Sequence, residues 1–194
     1  MPRRPLLLTV GLMMLLASPA WSQSRFPISL QFSGAVVKPF SDTNLDGSIG
    51  GSYAASLGFE GQVRYSPAGP VSIGLGFQTS GLGDFDGSLL SVFFAEPRLR
   101  IQIRSPRVGP YLSVRGGFGR ISFYDPDDVT APFDVIGRNG ASIGGGGGVL
   151  LQFSRRVGLD LGVLINSAPE PVGKYGLLRA GASIAIGRPR RLAQ

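Results

Sequence analysis

Neither cysteine nor histidine occurs anywhere in this chain of 194 residues. The absence of cysteine excludes disulfides and thiolate metal sites. The absence of histidine removes the commonest general base and metal ligand, and with it the usual Ser–His and Cys–His forms of catalysis. Charged residues are also scarce, at 16%. Beyond the first 22 residues, no apolar run approaches the length of a transmembrane helix, so a helical membrane protein is not expected.

The first 22 residues have the layout of a secretory signal peptide. Arg3 and Arg4 precede an apolar run over residues 6–17, and small residues follow it. Cleavage is expected after Ala20 or Ser22. The alternative, an uncleaved membrane anchor, is disfavoured because the run is short for a span. A lipoprotein is excluded because no cysteine follows.

The chain that remains after cleavage is moderately basic. It keeps 17 lysines and arginines against 12 aspartates and glutamates, a net charge of +5. These arginines are not clustered into a binding patch, and exported proteins rarely meet nucleic acid. We therefore expect no nucleic-acid partner.

Apolar and polar residues alternate with a period of two along most of this chain. In SYAASLGFEGQVRY, for example, Leu57 and Phe59 share one parity, whereas Glu60 and Gln62 share the other. Successive side chains of a strand point to opposite faces, so each such segment predicts a strand with one apolar face. Eight strands are predicted, at residues 27–39, 52–65, 70–79, 89–104, 109–123, 138–154, 157–166 and 175–187. Most have the 9–11 residues that a tilted strand needs to cross a bilayer.

Five consecutive glycines interrupt none of this alternation. In ASIGGGGGVLLQF, residues 141–153, Ile143 takes the apolar parity and Gly144, Gly146 and Gly148 take the other. The length and parity of the run favour a strand over a flexible linker. These three glycines are predicted to line a lumen, where they leave room for long arginine or tyrosine side chains and permit the coiling of a small barrel.

Short and long connections between the predicted strands also alternate. The short ones cover residues 66–69, 105–108 and 155–156, and the longer ones cover 40–51, 80–88, 124–137 and 167–174. Nine of the twelve acidic residues fall in the longer connections. The pattern predicts an all-β fold, a closed eight-stranded antiparallel up-and-down transmembrane barrel with an acidic loop end and a basic turn end.

The polar parity is predicted to face the lumen, and the phenylalanine-rich parity to face lipid. An eight-stranded lumen is just wide enough to be filled by side chains, and an arginine facing lipid near the midplane costs about 2–4 kcal/mol. Inside, arginines can pair with the three acidic residues outside the long connections. The predicted lumen charge network consists of Glu60, Glu96, Arg98, Arg100, Arg115, Asp160 and Arg179.

The signal peptide, the strands GPYLSVRGGFG and GASIGGGGGVLLQF, and the alternation of short turns with long loops resemble the small eight-stranded outer-membrane barrels, OmpA-like and OmpX-like. The resemblance implies a monomer in a Gram-negative-type outer membrane, in contact with lipid, lipopolysaccharide and the barrel insertion machinery. It divides the chain into a signal peptide (1–22), a barrel (26–187) and a basic periplasmic tail (188–194). One departure is that RPRRLAQ follows Gly187, whereas family chains usually end on an aromatic residue of the last strand.

Other candidate sites have simpler interpretations. DTNLDG, from Asp42, has the oxygen spacing of a calcium loop, but its twelfth position is Tyr53 rather than glutamate, which favours a solvated acidic loop. Glu60, Glu96 and Asp160 are interpreted as structural ion-pair partners rather than catalytic carboxylates. We therefore expect no catalysis, cofactor or metal. A further hypothesis is that loop acids bridge divalent cations to lipopolysaccharide phosphates.

The leading functional hypothesis is a non-enzymatic integral outer-membrane barrel with a structural or surface-interaction role. Members of the family that the chain resembles are structural proteins, adhesins, resistance factors or very narrow pores. A narrow pore gated by the internal charges is therefore the first alternative. A soluble periplasmic barrel that binds lipid is a less favoured one.

Overall fold

The protein forms a closed β-barrel. The computed structural model describes residues 26–40, 55–67, 70–81, 89–101, 103, 105, 107–123, 136–169 and 172–187. They contain β1 (Ile28–Pro39), β2 (Ser56–Tyr65), β3 (Val71–Gly81), β4 (Leu89–Arg100), β5 (Val108–Phe123), β6 (Ile136–Gln152), β7 (Val157–Ser167) and β8 (Lys174–Ile186). Each strand pairs antiparallel with the next, and β1 pairs with β8. The predicted closed eight-stranded antiparallel up-and-down barrel is confirmed.

Several predicted segments lie outside the described residues. These are the signal peptide (1–22), the basic tail (188–194), the DTNLDG motif and the nine acidic residues of the long connections. Within the described ranges, no helix is long and apolar enough to cross a membrane.

β4 is shorter than predicted at its turn end. The alternation extended this strand to residue 104, but the ladder ends at Arg100, which pairs with Tyr111. The next backbone amide, that of Ile101, still donates to the carbonyl of Pro110 at 2.8 Å. Proline has no amide hydrogen with which to return the bond, so the ladder cannot continue past this pair.

Large apolar side chains cover the outside of the barrel. The exposed fraction reaches 80% at Leu57, 66% at Phe93 and 61% at Val114. Glu96 and Arg115, which face inward on the same strands as Phe93 and Val114, are fully buried. This orientation is the reverse of a soluble barrel, and it suits a sheet surrounded by hydrocarbon, where backbone groups must be satisfied within the barrel.

The substitution Phe93→Arg tests this orientation. Phe93 lies near the middle of β4 on the outer face, so the arginine is expected to lower the free energy of unfolding by about 2–4 kcal/mol. Leu89→Arg, at the loop end of the same strand and face, is the matched control and should cost about 1 kcal/mol or less. Urea unfolding in lipid vesicles measures both. Equal losses at the two positions would contradict a lipid-facing surface.

The lumen is filled by two layers of side chains. Nearest the loop end is an apolar cluster, here called the apolar plug: Ala35, Val37, Leu90, Val92, Phe94, Ile121, Leu164, Ala168, Val172, Tyr175 and Leu177. Nearer the turn end the inward side chains are charged or polar. The alternation did not predict the plug, because SLLSVFFA and GVLIN are apolar on both parities and a period of two gives no signal there.

Candidate functional site in the barrel lumen

Four strands bring four of the charged lumen side chains together in the barrel. Glu60 lies on β2, Glu96 on β4, Arg115 on β5 and Arg179 on β8, and each occupies an inward position of its strand. The pairing register of the strands sets the position of these residues along the barrel axis. A shift of the register by one residue would turn all of them to the lipid side. The local alternation and the ladder pairing together therefore position this network.

Glu96 is the centre of the network. Its carboxylate oxygens lie 2.8 Å from guanidinium nitrogens of both Arg115 and Arg179, 2.5 Å from Arg98 and 3.1 Å from Arg64. Its side chain is completely buried. A buried carboxylate is tolerated when guanidinium groups surround it and donate hydrogen bonds to it.

The other two carboxylates extend the network in opposite directions. Glu60 binds Arg115 and Arg179, each at 2.6 Å. Asp160, on β7, lies 2.7 Å from Arg98 and accepts a hydrogen bond of 2.6 Å from the Tyr111 hydroxyl. All three carboxylates are thus held by guanidinium groups.

Polar side chains continue the network toward the turn end. Gln62 accepts a hydrogen bond from Arg64 and donates one to Gln31, both of 2.8 Å. Gln31 in turn donates to the Ser183 hydroxyl at 3.3 Å. Arg115 also stacks its guanidinium 3.7 Å from the centre of the Phe94 ring, where the charged layer meets the apolar plug.

The ion pairs join six of the seven residues of the predicted network, together with Arg64. The seventh, Arg100, lies nearer the turn end of β4, beside Gly109 of β5. Arg64 was not included in the prediction, although its parity in the sequence already placed it on the inner face. The height of each residue in the barrel depends on ladder register, which the sequence alone did not supply.

The three glycines of the predicted lumen slot face inward, and each is close to a different neighbour. A Cβ at Gly148 would collide with the Leu161 carbonyl and with the Tyr111 hydroxyl, so this glycine makes room for both the β7 backbone and the tyrosine. A Cβ at Gly144 would collide with the Asn166 side chain. At Gly146 the obstacle is backbone, with the Val163 carbonyl and, at 2.7 Å, the Leu164 Cα.

The chemistry of this arrangement is that of a filled interior. Every carboxylate in it is engaged by arginine, so none is placed as a general base with access to a substrate. Among the described residues, no group of three or more acidic side chains is placed to hold a metal ion. The network pairs all three of its carboxylates and fills the lumen.

Solved structures share this fold. Neisserial surface protein A (NspA) is 19% identical, with a TM-score of 0.67, and the match covers 82% of this chain and 97% of NspA. Ail of Yersinia pestis is 18% identical over 82% of this chain and 96% of Ail, with a TM-score of 0.49. OprG of Pseudomonas aeruginosa is 12% identical over 86% of this chain and 96% of OprG, with a TM-score of 0.49. Neither a protein-family model nor a curated protein matches the chain.

The similarity to NspA concerns the fold alone, and it agrees with the closed barrel. The chain has the architecture of the small eight-stranded outer-membrane barrels, OmpA-like and OmpX-like. By name, NspA is a surface protein, Ail an attachment invasion locus protein and OprG an outer-membrane protein.

Proposed function

We propose that this protein is an integral outer-membrane barrel that stabilises the envelope or presents its loops at the cell surface, and that it performs no catalysis. The observation that carries the proposal is the filled lumen inside an apolar outer wall. Such a barrel exposes two things to its surroundings, a lipid-facing belt and the loop end. The function is therefore expected to lie in the membrane or at the loops rather than in an internal site.

The apolar plug argues against the pore alternative. Val37, Leu90, Val92 and Ile121 are completely buried at the loop end of the lumen. The β7–β8 connection adds Val172, which is also completely buried and belongs to the same cluster. An ion on this path would have to leave water among close-packed apolar side chains, which is strongly unfavourable.

The orientation of the sheet argues against a soluble lipid-binding barrel. Such a barrel needs an apolar internal cavity and a polar exterior. Here the turn-end half of the lumen holds Glu60, Glu96 and Arg179, and large apolar side chains such as Phe93 cover the outside. The interior has ion pairs where a lipid chain would have to lie.

Proposed partners are the lipid and lipopolysaccharide of the outer membrane and the barrel insertion machinery, with the protein itself a monomer. Lys38 and Lys174 support the lipopolysaccharide proposal. Both are exposed at the loop end of the paired strands β1 and β8. If this end faces outward, their ammonium groups would lie at the level of lipopolysaccharide phosphates, with which cations pair favourably.

One purification tests the proposal. The protein is expected in the outer-membrane fraction, to need detergent for extraction, and to migrate differently on gels before and after boiling. The same material should give no current above baseline in planar bilayers, because the plug closes the lumen. Recovery in the soluble periplasmic fraction would refute the membrane assignment. A reproducible single-channel current would replace the structural role with the pore alternative.

A further inference from the structure

Among the buried side-chain atoms of the described residues that lack a hydrogen-bond partner, donors outnumber acceptors. Ten buried side-chain atoms in the described residues have no hydrogen-bond partner. Five are nitrogens that can only donate, on Arg64, Gln78, Arg98, Asn166 and Arg179, and one is an oxygen that can only accept, on Asn166. The other four are hydroxyl groups, which can do either. Because an unsatisfied buried donor is costly, this surplus indicates a missing acceptor.

The charges of the same layer are also unbalanced. Four guanidinium groups, those of Arg64, Arg98, Arg115 and Arg179, face three carboxylates in the seven ion pairs. All seven side chains are at least about nine-tenths buried. One positive charge is therefore left over in an enclosed region of low dielectric, where an unbalanced charge is unfavourable.

Register places two residues that carry unpaired polar atoms opposite each other on neighbouring strands. Arg98 of β4 and Ser113 of β5 are direct ladder partners, and both face the lumen. The Nη2 atom of Arg98 and the Oγ atom of Ser113 are both without a partner. Arg64, whose Nε also lacks a partner, shares an oxygen of Glu96 with Arg98.

We propose that the barrel binds one monovalent anion of halide size between Arg98 and Ser113. The site would receive donor hydrogens from Arg98 Nη2 and Ser113 Oγ, with Arg64 close by. Chloride would satisfy these donors and neutralise the surplus guanidinium charge at once. A buried water molecule would satisfy donors but leave the charge in place, and that difference separates the two ligands.

Crystallisation of the intact barrel in sodium bromide tests the site directly. We expect an anomalous peak within hydrogen-bond distance of Arg98 Nη2 and Ser113 Oγ. Density at that place without anomalous signal would identify water and overturn the proposal. An absence of density would overturn it as well.

A solution experiment supplies the matched control. Chloride is raised at constant ionic strength by replacing gluconate with it. The midpoint of thermal unfolding in detergent should rise by a few degrees, and this rise should saturate at high chloride. Ser113→Ala should remove this chloride dependence. Ser183→Ala, which deletes a lumen hydroxyl bound to Gln31 on another part of the wall, should retain it. An equal chloride response in both variants would contradict the site. If Ser113→Ala does not fold, the bromide experiment on the unmodified protein tests the site by itself.

Discussion

Glu96→Gln is expected to prevent stable folding of the barrel, or to leave it with a small fraction of its normal stability. Glu96 forms ion pairs with four guanidinium groups, all within 3.1 Å, and its side chain is fully buried. Removing one partner from a buried ion pair costs about 3–5 kcal/mol. Typical proteins have only about 5–15 kcal/mol of total stability.

The three lumen carboxylates provide an internal ranking for this experiment. Glu60 pairs with two guanidinium groups and Asp160 with one. The loss in free energy of unfolding should therefore decrease from Glu96→Gln to Glu60→Gln to Asp160→Asn. Urea titration in lipid vesicles, followed by gel migration without boiling, measures all three variants. Equal losses, or the largest loss at Asp160, would contradict a network centred on Glu96.

The alternation of the sequence was sufficient for the fold because lipid and lumen impose opposite requirements on the two faces of every strand. Phe59 and Glu60, or Val114 and Arg115, can be assigned to their faces from parity alone. Parity failed where both faces are apolar. Leu90, which closes the loop end of the lumen, therefore could not be distinguished from a lipid-facing residue.

The sequence also did not supply the position of each inward residue along the barrel axis. Arg98 and Arg100 share a face of β4, yet Arg98 contacts both Glu96 and Asp160, whereas Arg100 lies nearer the turn end. Tyr111 shares the parity of Arg115, and its hydrogen bond to Asp160 joins residues that are 49 positions apart in the sequence. Such contacts follow from the register of the closed sheet, which local patterns do not encode.

Gly146→Ala has the second largest expected effect. The added Cβ would meet the backbone of β7 at Val163 and Leu164 rather than the end of a flexible side chain. The two strands would have to separate, and hydrogen bonds of the β6–β7 ladder would be lost. We expect a loss of about 3 kcal/mol or more in the free energy of unfolding, at the upper end of what overpacking costs.

Gly116→Ala is the matched control for this substitution. Gly116 lies on β5, the neighbouring strand, faces outward, and has open space at its Cβ position. Neither glycine has a positive φ, so backbone strain does not distinguish them. Gly116→Ala should therefore leave stability unchanged or raise it by up to about 1 kcal/mol, through the reduced entropy of the unfolded chain. Urea unfolding in vesicles compares the two. A similar loss at both positions would mean that strand propensity, rather than the close approach of β6 and β7, accounts for the glycine run.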